Sequence, residues 1–278
     1  MRRGLSKAGL GRLENEEQLI ELAGAYGFEA ADADAVTLIE RHGVNGAKEL
    51  LTRNGVELGA IGLPVEWRQD EQTFLSGLPQ LTRSAAAAAE LGGTACCTYI
   101  LPSTDWNPAH FMAVATRRLR TCARILGAYG IRLGLEFVGP HHLRTRWKHP
   151  FIWTMDETLD WIAAIGEPNV GLLLDAYHWY TTGGTAEDIG RLKPEQIVHV
   201  HLNDAPDVPV ADALDNGRLY PGEGVIDLGT FLRTLNGIGY RGIVAQEILT
   251  QTQPEESPEE LARRSRAGFD RAYAAAGL

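Results

Sequence analysis

Four acidic or imidazole side chains interrupt runs of apolar residues along the chain. Glu136 lies in "LGLEF", Asp175 in "GLLLDAYH", His201 in "VHVHLND" and Glu247 in "VAQEIL". Such groups are rare among buried strand residues unless a polar partner receives them. Each occurs near the carboxyl end of its apolar run, so the pattern predicts one shared polar site at one end of a sheet.

Strand alternation predicts that the four side chains point the same way. Successive side chains of a strand face opposite sides, so Glu136 shares a face with Gly134, and His201 with His199. Three carboxylates that converge in a low-dielectric cavity repel one another strongly, and a divalent cation relieves that repulsion. Mixed carboxylate and imidazole ligands with open positions suit Mn²⁺, Mg²⁺ or Co²⁺ better than a closed structural zinc site. We therefore predict that all four bind a divalent metal, with Mn²⁺ preferred and His199 as a structural companion.

Eight short β-rich runs alternate with longer helical patterns. The predicted strands are 3–8, 28–33, 56–64, 95–102, 131–139, 169–178, 197–204 and 242–249. Eight strand–helix units of roughly 35 residues match the size of a (β/α)8 TIM barrel, whose active sites lie at the carboxyl ends of the strands. The sequence predicts an α/β fold with a single TIM-barrel domain over residues 1–278. A doubly wound open sheet is the alternative, but no glycine-rich phosphate-binding fingerprint follows an early strand.

Composition restricts the class of partner. The 278 residues are 44% hydrophobic and carry a formal net charge of −10. A nucleic-acid partner usually leaves a basic footprint, and no apolar run approaches the roughly 20 residues that span a bilayer. The first residues lack the apolar core of a secretory signal, and Cys96, Cys97 and Cys122 lack metal-type spacing. We expect a cytoplasmic protein without nucleic-acid or membrane partners.

The four polar residues, with "DAYH" and "YPGEG", resemble the xylose isomerase-like superfamily of sugar isomerases and epimerases, and the specific motifs lie within 131–249. The resemblance implies a small carbohydrate substrate, a homo-oligomer, and proton transfer through a metal-stabilised enediolate. It also implies that Glu136 and Glu247 are the catalytic acid/base pair on opposite faces of the substrate. Asp175 and His201 would mainly hold the metal.

The same resemblance indicates three substrate-binding residues. His178, three residues after Asp175, would contact a substrate oxygen, and Arg218, just before "LYPGEG", would bind the substrate. His142 stands where ketose epimerases typically carry a substrate-binding glutamate. This departure weakens assignment as a plain ketose 3-epimerase, while His142 itself stays a candidate substrate contact.

Aromatic and basic residues follow several predicted strands. Loop 139–153 carries two arginines, a lysine and two tryptophans, which is typical either of a substrate lid or of a solvated basic loop. Trp67, Trp106 and Trp179 also follow strands. They are expected either to form apolar walls at the barrel mouth or to pack in the core.

Three alternatives compete with a sugar isomerase or epimerase. A lyase would use the same enolisation to dehydrate a keto-inositol or to cleave a 3-keto-glycoside, including a C-glycoside. A DNA-repair endonuclease of the same superfamily needs further ligands on the early strands, but 28–33, 56–64 and 95–102 contain no histidine. A non-catalytic sugar-binding protein would keep the metal as a structural group.

Overall fold

A parallel sheet of nine segments forms the centre of the computed structural model, which describes residues 1–278. Its segments are β1 Arg2–Ser6, β2 Ala30–Asp32, β3 Glu57–Leu58, β4 Ala60–Gly62, β5 Ala95–Ile100, β7 Arg132–Phe137, β9 Val170–Asp175, β10 Ile197–Leu202 and β11 Ile243–Gln246. Two further strands, β6 Ser103–Thr104 and β8 His149–Pro150, pair antiparallel outside this sheet.

The sheet closes into a barrel at Gly59. The segment order is β3-β2-β1-β11-β10-β9-β7-β5-β4, and its outer members β3 and β4 are consecutive in the chain, separated only by Gly59. A Cβ at Gly59 would lie 2.1 Å from Asp32 Oδ1, which accepts a hydrogen bond from the Ala60 amide at 2.7 Å. The predicted strand 56–64 is therefore two short segments, and the predicted eight-stranded TIM barrel is confirmed.

Ten α-helices surround the sheet, and at least one follows each barrel strand. They are α1 Glu16–Ala25, α2 Ala35–Asn54, α3 Glu71–Glu90, α4 Pro108–Gly127, α5 His141–Arg144, α6 Met155–Ile165, α7 Ala176–Thr181, α8 Ala186–Gly190, α9 Leu228–Gly237 and α10 Pro258–Ala276. Side chains cap the first free amides of most of them, such as Asp34 for α2 and Ser257 for α10. None of the helices combines the length and the apolar composition that crossing a bilayer requires.

A β-bulge in β10 alters the strand alternation. Ile197 pairs with Leu172 and His199 pairs with Leu173, so Val198 is an extra residue in the ladder. Val198 consequently lies inside the barrel, where a Cβ at Gly134 would come within 3.3 Å of it. The bulge places Val198 and His199 next to each other at the lower end of the barrel interior.

Loop 139–153 is firmly attached to its surroundings. Within it, β8 pairs with β6 of the preceding strand–helix connection. The Arg144 guanidinium donates to the Thr181 carbonyl at 2.6 Å and lies 3.7 Å from the centre of the Trp153 ring. The loop is thus neither a free lid nor a fully solvated segment, but a fixed part of the rim around the barrel mouth.

Candidate metal centre and substrate cavity

The four predicted ligands converge at the carboxyl ends of four neighbouring barrel strands. Glu136 is the penultimate residue of β7, Asp175 ends β9, His201 is the penultimate residue of β10, and Glu247 directly follows β11. His201 is in register with Asp175 on one side and with Ala245 on the other. Because β7, β9, β10 and β11 are consecutive in the barrel, their ends form one continuous wall.

His201 Nδ1 lies at the centre of this cluster. It is 3.4 Å from Glu136 Oε1, 3.4 Å from Glu247 Oε2 and 3.7 Å from Asp175 Oδ2. One ligand atom from each of the four residues lies within 4.8 Å of the others. Glu136 Oε1 and His201 Nδ1 are buried without a hydrogen-bond partner, although buried polar atoms are normally bonded. The four residues therefore fit a divalent cation.

Arg218 is the buried cation of the site. Its Nη1 donates to Asp175 Oδ2 at 3.0 Å and to Glu247 Oε2 at 2.7 Å, and its Nη2 donates to Asp215 Oδ1 at 2.8 Å. Four carboxylates, those of Glu136, Asp175, Asp215 and Glu247, face this single guanidinium. When His201 is neutral, as an imidazole must be to bind a metal, a formal surplus of three negative charges remains, which also favours a divalent cation.

The crowded charges shift the proton affinities of neighbouring groups in opposite directions. Burial raises the pKa of Glu136, and the charge of Glu247 raises it further. Burial also acts upward on Glu247, but the positive charges of His201 and Arg218 prevail and lower its pKa. Burial acts to lower the pKa of His201, yet the Glu247 and Glu136 carboxylates raise it well above its ordinary value. Such divergence between neighbouring carboxylates is typical of acid/base pairs.

Asp175 has a second, local role. Its Oδ1 accepts from the amides of Tyr177 at 2.7 Å and His178 at 3.1 Å, so it caps α7. Its Oδ2 accepts from the fully buried Asn203 at 2.9 Å. These bonds fix the carboxylate before any ligand is bound. Asn203 has no signal of its own in the sequence beyond its place directly after β10.

His199 is a companion of the cluster rather than one of the four central residues. Its Nε2 lies 2.9 Å from Asp32 Oδ2, and the same oxygen is 3.9 Å from His201 Nε2. Asp32 thus lies between the two imidazoles and also accepts from Ala60 at the barrel closure. Asp32, His199 and His201 form a second group whose ligand atoms lie close together. Asp32 was not identified from the sequence, because it ends a strand of only three residues.

Two of the three predicted substrate-binding residues, His178 and Arg218, contact the carboxylates of this centre, whereas no hydrogen bond or ion pair joins His142 to it. His178 is buried, with Nε2 3.2 Å from Arg218 Nη2 and 4.0 Å from Glu136 Oε1. Asp215 lies in an irregular loop and has no signal of its own in the sequence; its Oδ1 is 3.9 Å from His178 Nε2. Burial acts to raise the pKa of Asp215, but the Arg218 charge lowers it. His142 lies on the short helix α5; burial lowers its pKa, and its buried Nδ1 has no hydrogen-bond partner.

The loop with "YPGEG" holds Arg218 in place. Asp204, two residues after the end of β10, pairs with Leu219 as an isolated bridge, and its carboxylate accepts from the amides of Gly222 and Ile226 at 2.9 Å each. A Cβ at Gly224 would lie 2.1 Å from the Ala205 carbonyl oxygen, so this position requires glycine. The motif is therefore a scaffold that fixes the chain next to Arg218.

A cavity of about 430 Å³ opens beside the cluster, and Glu136, His201 and Glu247 belong to its lining. The rest of the lining comes mainly from the ends of β1, β2, β4 and β5 and is rich in small side chains. Tyr99 is 47% exposed at its rim and is in register with Glu136 on the adjacent strand. Lys7 is the only cationic residue of the lining. Neither Tyr99 nor Lys7 was identified from the sequence.

None of the three tryptophans that follow predicted strands, Trp67, Trp106 and Trp179, lines this cavity. Trp67 is fully buried and stacks on Phe111 at 6.0 Å, and Trp179 is buried against Phe231 at 5.3 Å. For these two, packing in the core is confirmed and the expectation of cavity walls is wrong. Trp106 is 43% exposed and lies outside the cavity.

Comparison with known proteins relates the chain to one family of barrels. A family model described as xylose isomerase-like TIM barrel matches residues 18–271. The solved structure of a xylose isomerase domain protein from Alicyclobacillus acidocaldarius superposes with a TM-score of 0.91 over 100% of both chains at 37% identity. The structure of the IolI protein with a bound zinc atom has a TM-score of 0.82 over 99% of this chain and 98% of that chain, at 20% identity.

Curated relatives include an isomerase and a dehydratase. An inosose isomerase of Bacillus licheniformis is 31% identical over 140 residues, which are 50% of this chain and 47% of that protein. A 3-dehydroshikimate dehydratase of Pseudomonas aeruginosa is 30% identical over 133 residues, which are 47% of this chain and 20% of that protein. The chain thus spans half or less of the length of these relatives.

Proposed function

The chain belongs to the xylose isomerase-like TIM barrel family, and on that premise we propose that it is a divalent-metal-dependent isomerase or epimerase of a sugar, keto-sugar or related polyol. One observation carries the proposal: the carboxylates of Glu136 and Glu247 flank His201 Nδ1 at equal distances and both line one cavity. The match to inosose isomerase supports a cyclic polyol ketone as one substrate class.

Glu136, Asp175, His201 and Glu247 would hold the metal, with Mn²⁺ preferred and Mg²⁺ or Co²⁺ as alternatives. When bound, such a cation supplies Lewis-acid stabilisation of negative charge that develops on substrate oxygens. The oxygen-rich donor set supports this preference. The bound zinc in the IolI structure makes Zn²⁺ a necessary member of any metal panel.

Glu136 and Glu247 would perform the proton transfers. One carboxylate removes a proton from the carbon next to the substrate carbonyl, which gives an enediolate, and the other carboxylate returns a proton to a carbon of that enediolate. Arg218 keeps Glu247 oriented and charged, and the same guanidinium nitrogen also donates to Asp175. His178, Arg218 and His142 would contact substrate oxygens at the upper edge of the cluster.

Glu247→Gln tests this proposal directly. In deuterated water with Mn²⁺, we expect the parent protein to introduce deuterium next to the carbonyl of a ketose or inosose, as followed by NMR. The variant should lose about 10²- to 10⁴-fold of that rate, because general acid/base groups typically contribute this much. Metal binding, measured by calorimetry, shows whether the lost rate reflects a lost ligand.

Glu223→Gln is the matched control, because Glu223 pairs with Arg264 and lies outside the cavity lining. It should keep the parent rate. A Glu247→Gln protein that exchanges deuterium as fast as the parent contradicts the assignment. A parent protein that binds sugars without any exchange or turnover supports the non-catalytic binding protein instead.

A lyase is the second candidate, and the match to a 3-dehydroshikimate dehydratase favours it. In that reaction a carboxylate takes the proton next to the carbonyl, the electron pair forms a carbon–carbon double bond, and hydroxide leaves the next carbon and is protonated to water. Cleavage of a 3-keto-glycoside expels the aglycone in the same way. The two candidates separate by product mass: an isomer keeps the mass of its substrate apart from deuterium, whereas dehydration removes water.

A further inference from the structure

A second space, which we call the ring groove, lies next to the reaction cavity and is lined by Arg68, Asp105, Trp106 and Trp147, with Trp67 and Phe111 among its other lining residues. Its volume is about 180 Å³. We propose that the ring groove binds the non-reacting ring of a two-ring substrate, either a second sugar or an aryl group. The inference rests on the proposed function for the identity of the reacting half.

Flat aromatic surfaces dominate the groove. Trp67 and Phe111 stack with an interplanar angle of 14°, and Trp106 continues this stack at 28° to Phe111. The His110 ring also lies nearly parallel to Trp106 at 6.2 Å, but Trp106 remains 43% exposed, so part of its surface is free. Trp147 belongs to the anchored loop 139–153, where its amide donates to Ser103 Oγ at 3.2 Å. Trp67 and Phe111 are buried within the stack, so the surface left for a ligand is that of Trp106 and Trp147. Rigid aromatic surfaces bind the apolar faces of rings and lose little conformational freedom on binding.

Polar groups are available along the same groove. The Arg68 guanidinium lies between two rings, 4.4 Å from the centre of Trp67 and 4.1 Å from that of Tyr99. This stacking, and a hydrogen bond to Glu66 at 3.2 Å, hold the cation in place. Asp105 is exposed and lines the groove as well. A ring that carries hydroxyl groups therefore meets the Asp105 carboxylate as an acceptor beside the positive charge of Arg68, whose amino groups are bonded to Glu66, Thr98 and the Tyr99 carbonyl.

The groove is separated from the reaction cavity by a single layer of side chains. Thr98 and Tyr99 line the cavity, and Arg68, which lines the groove, donates to Thr98 Oγ1 at 3.1 Å and covers the Tyr99 ring. An engineered apolar cavity of about 150 Å³ accepts benzene, so the groove has room for one six-membered ring. A substrate that extends over Tyr99 would place its reacting half beside Glu136 and its second ring in the groove.

Three ketones of matched reacting halves test this proposal: methyl 3-keto-β-glucoside, its phenyl analogue and 3-keto-cellobiose. We expect kcat/KM for the phenyl compound or the disaccharide to exceed that for the methyl compound about tenfold, as one well-stacked ring provides. Trp106→Ala and Trp147→Ala should each remove most of this advantage and leave the methyl compound within twofold. Tyr129→Ala, which alters an exposed aromatic residue at the opposite end of the barrel, is the control and should change neither value.

Saturation-transfer NMR with the same three ketones measures binding in the groove independently of turnover. Binding of the phenyl or second-sugar protons that is lost in Trp106→Ala supports the groove even where no turnover occurs, and then only the proposed function fails. Equal kcat/KM for all three ketones in the parent and in both tryptophan variants overturns the groove while the function stands. Absence of saturation transfer to either second ring in the parent protein also overturns it.

Discussion

The two halves of the barrel mouth differ in the side chains that they carry, which are ionisable in one half and small in the other. The charged half, at the ends of β7, β9, β10 and β11, carries ionisable side chains that bond mainly to one another, with Arg218 between Asp175 and Glu247. The open half, at the ends of β1, β2, β4 and β5, lines the cavity largely with small residues such as Ala33 and Gly62. Groups for chemistry are held rigidly on one side, and space for a ligand is left on the other.

This difference has an energetic basis. A buried charge is stable only when it is paired and hydrogen-bonded, so the charged half must satisfy its groups internally. Small residues make no such demand, and changes in the open half can alter the shape of the cavity without leaving a charge unpaired. We therefore expect substitutions in the charged half to affect folding and those in the open half to affect ligand affinity.

Arg218→Met should produce the largest effect on stability. It removes the partner of three buried or half-buried carboxylates, so with a chelator present the free energy of unfolding should fall by about 3–5 kcal/mol. Urea unfolding followed by circular dichroism measures this change. Added Mn²⁺ should restore part of the loss if a cation compensates the same carboxylates.

Arg264→Met is the matched control for this variant. Arg264 also pairs with a carboxylate, that of Glu223, but its side chain is 42% exposed. Its removal should change the free energy of unfolding by about 1 kcal/mol or less. Equal losses of unfolding free energy in the two variants would show that the carboxylates of the charged half depend on their cationic partner no more than an exposed ion pair does.

Gly62→Leu should have an intermediate effect, confined to ligand binding. A Cβ at Gly62 meets no atom within 4 Å, so the side chain fits and extends into the free space of the open half. We expect KM for an accepted ketose to rise about tenfold, the magnitude of one lost favourable contact of about 1.4 kcal/mol. The Mn²⁺ affinity should stay within twofold.

Gly237→Leu provides the comparison, because a Cβ there is equally unhindered but Gly237 ends α9 away from the cavity lining. It should leave KM unchanged. A Gly62→Leu protein with weakened metal binding but normal KM would contradict the assignment of ligand binding to the open half and of metal binding to the charged half.

Lys7→Met should have the smallest effect. Lys7 pairs with the buried Glu16, but its own side chain is 52% exposed, and exposed ion pairs contribute little. For a neutral ketose we expect kcat/KM to fall by about threefold or less. Lys48→Met, which disrupts a surface pair with Glu90, is the control. A loss of activity as large as that of Glu247→Gln would show that Lys7 takes part in the reaction.

Regular alternation explains how much of the site could be predicted from the sequence. Glu136, Asp175 and His201 stand inside strands, where the period of two assigns each side chain to a face. Their convergence then follows from the barrel, because its strands all present their carboxyl ends to one mouth. These parts of the site depend only on local pattern and fold class.

The remaining parts depend on contacts between distant segments. Arg218 was identified only through the family resemblance, and Asp215 was not identified. Both lie in an irregular loop that the Asp204 bridge to Leu219 and the bond from the Arg218 amide to the Leu249 carbonyl hold over the cluster. The bulge at Val198 and the break at Gly59 have no periodic signal, since each is set by the geometry of the neighbouring strand. For Trp67 the sequence left the mouth and the core open, and only contacts with distant aromatic residues decide for the core.

The pairing of β6 with β8 has a consequence for the way this barrel can be re-engineered. Main-chain hydrogen bonds join the segment after β5 to the segment after β7. Arg144 donates a hydrogen bond from the second segment to α7. Transplanting either segment alone from a relative would leave unmatched main-chain donors and acceptors along the seam. Functional chimaeras should therefore take both segments from the same relative.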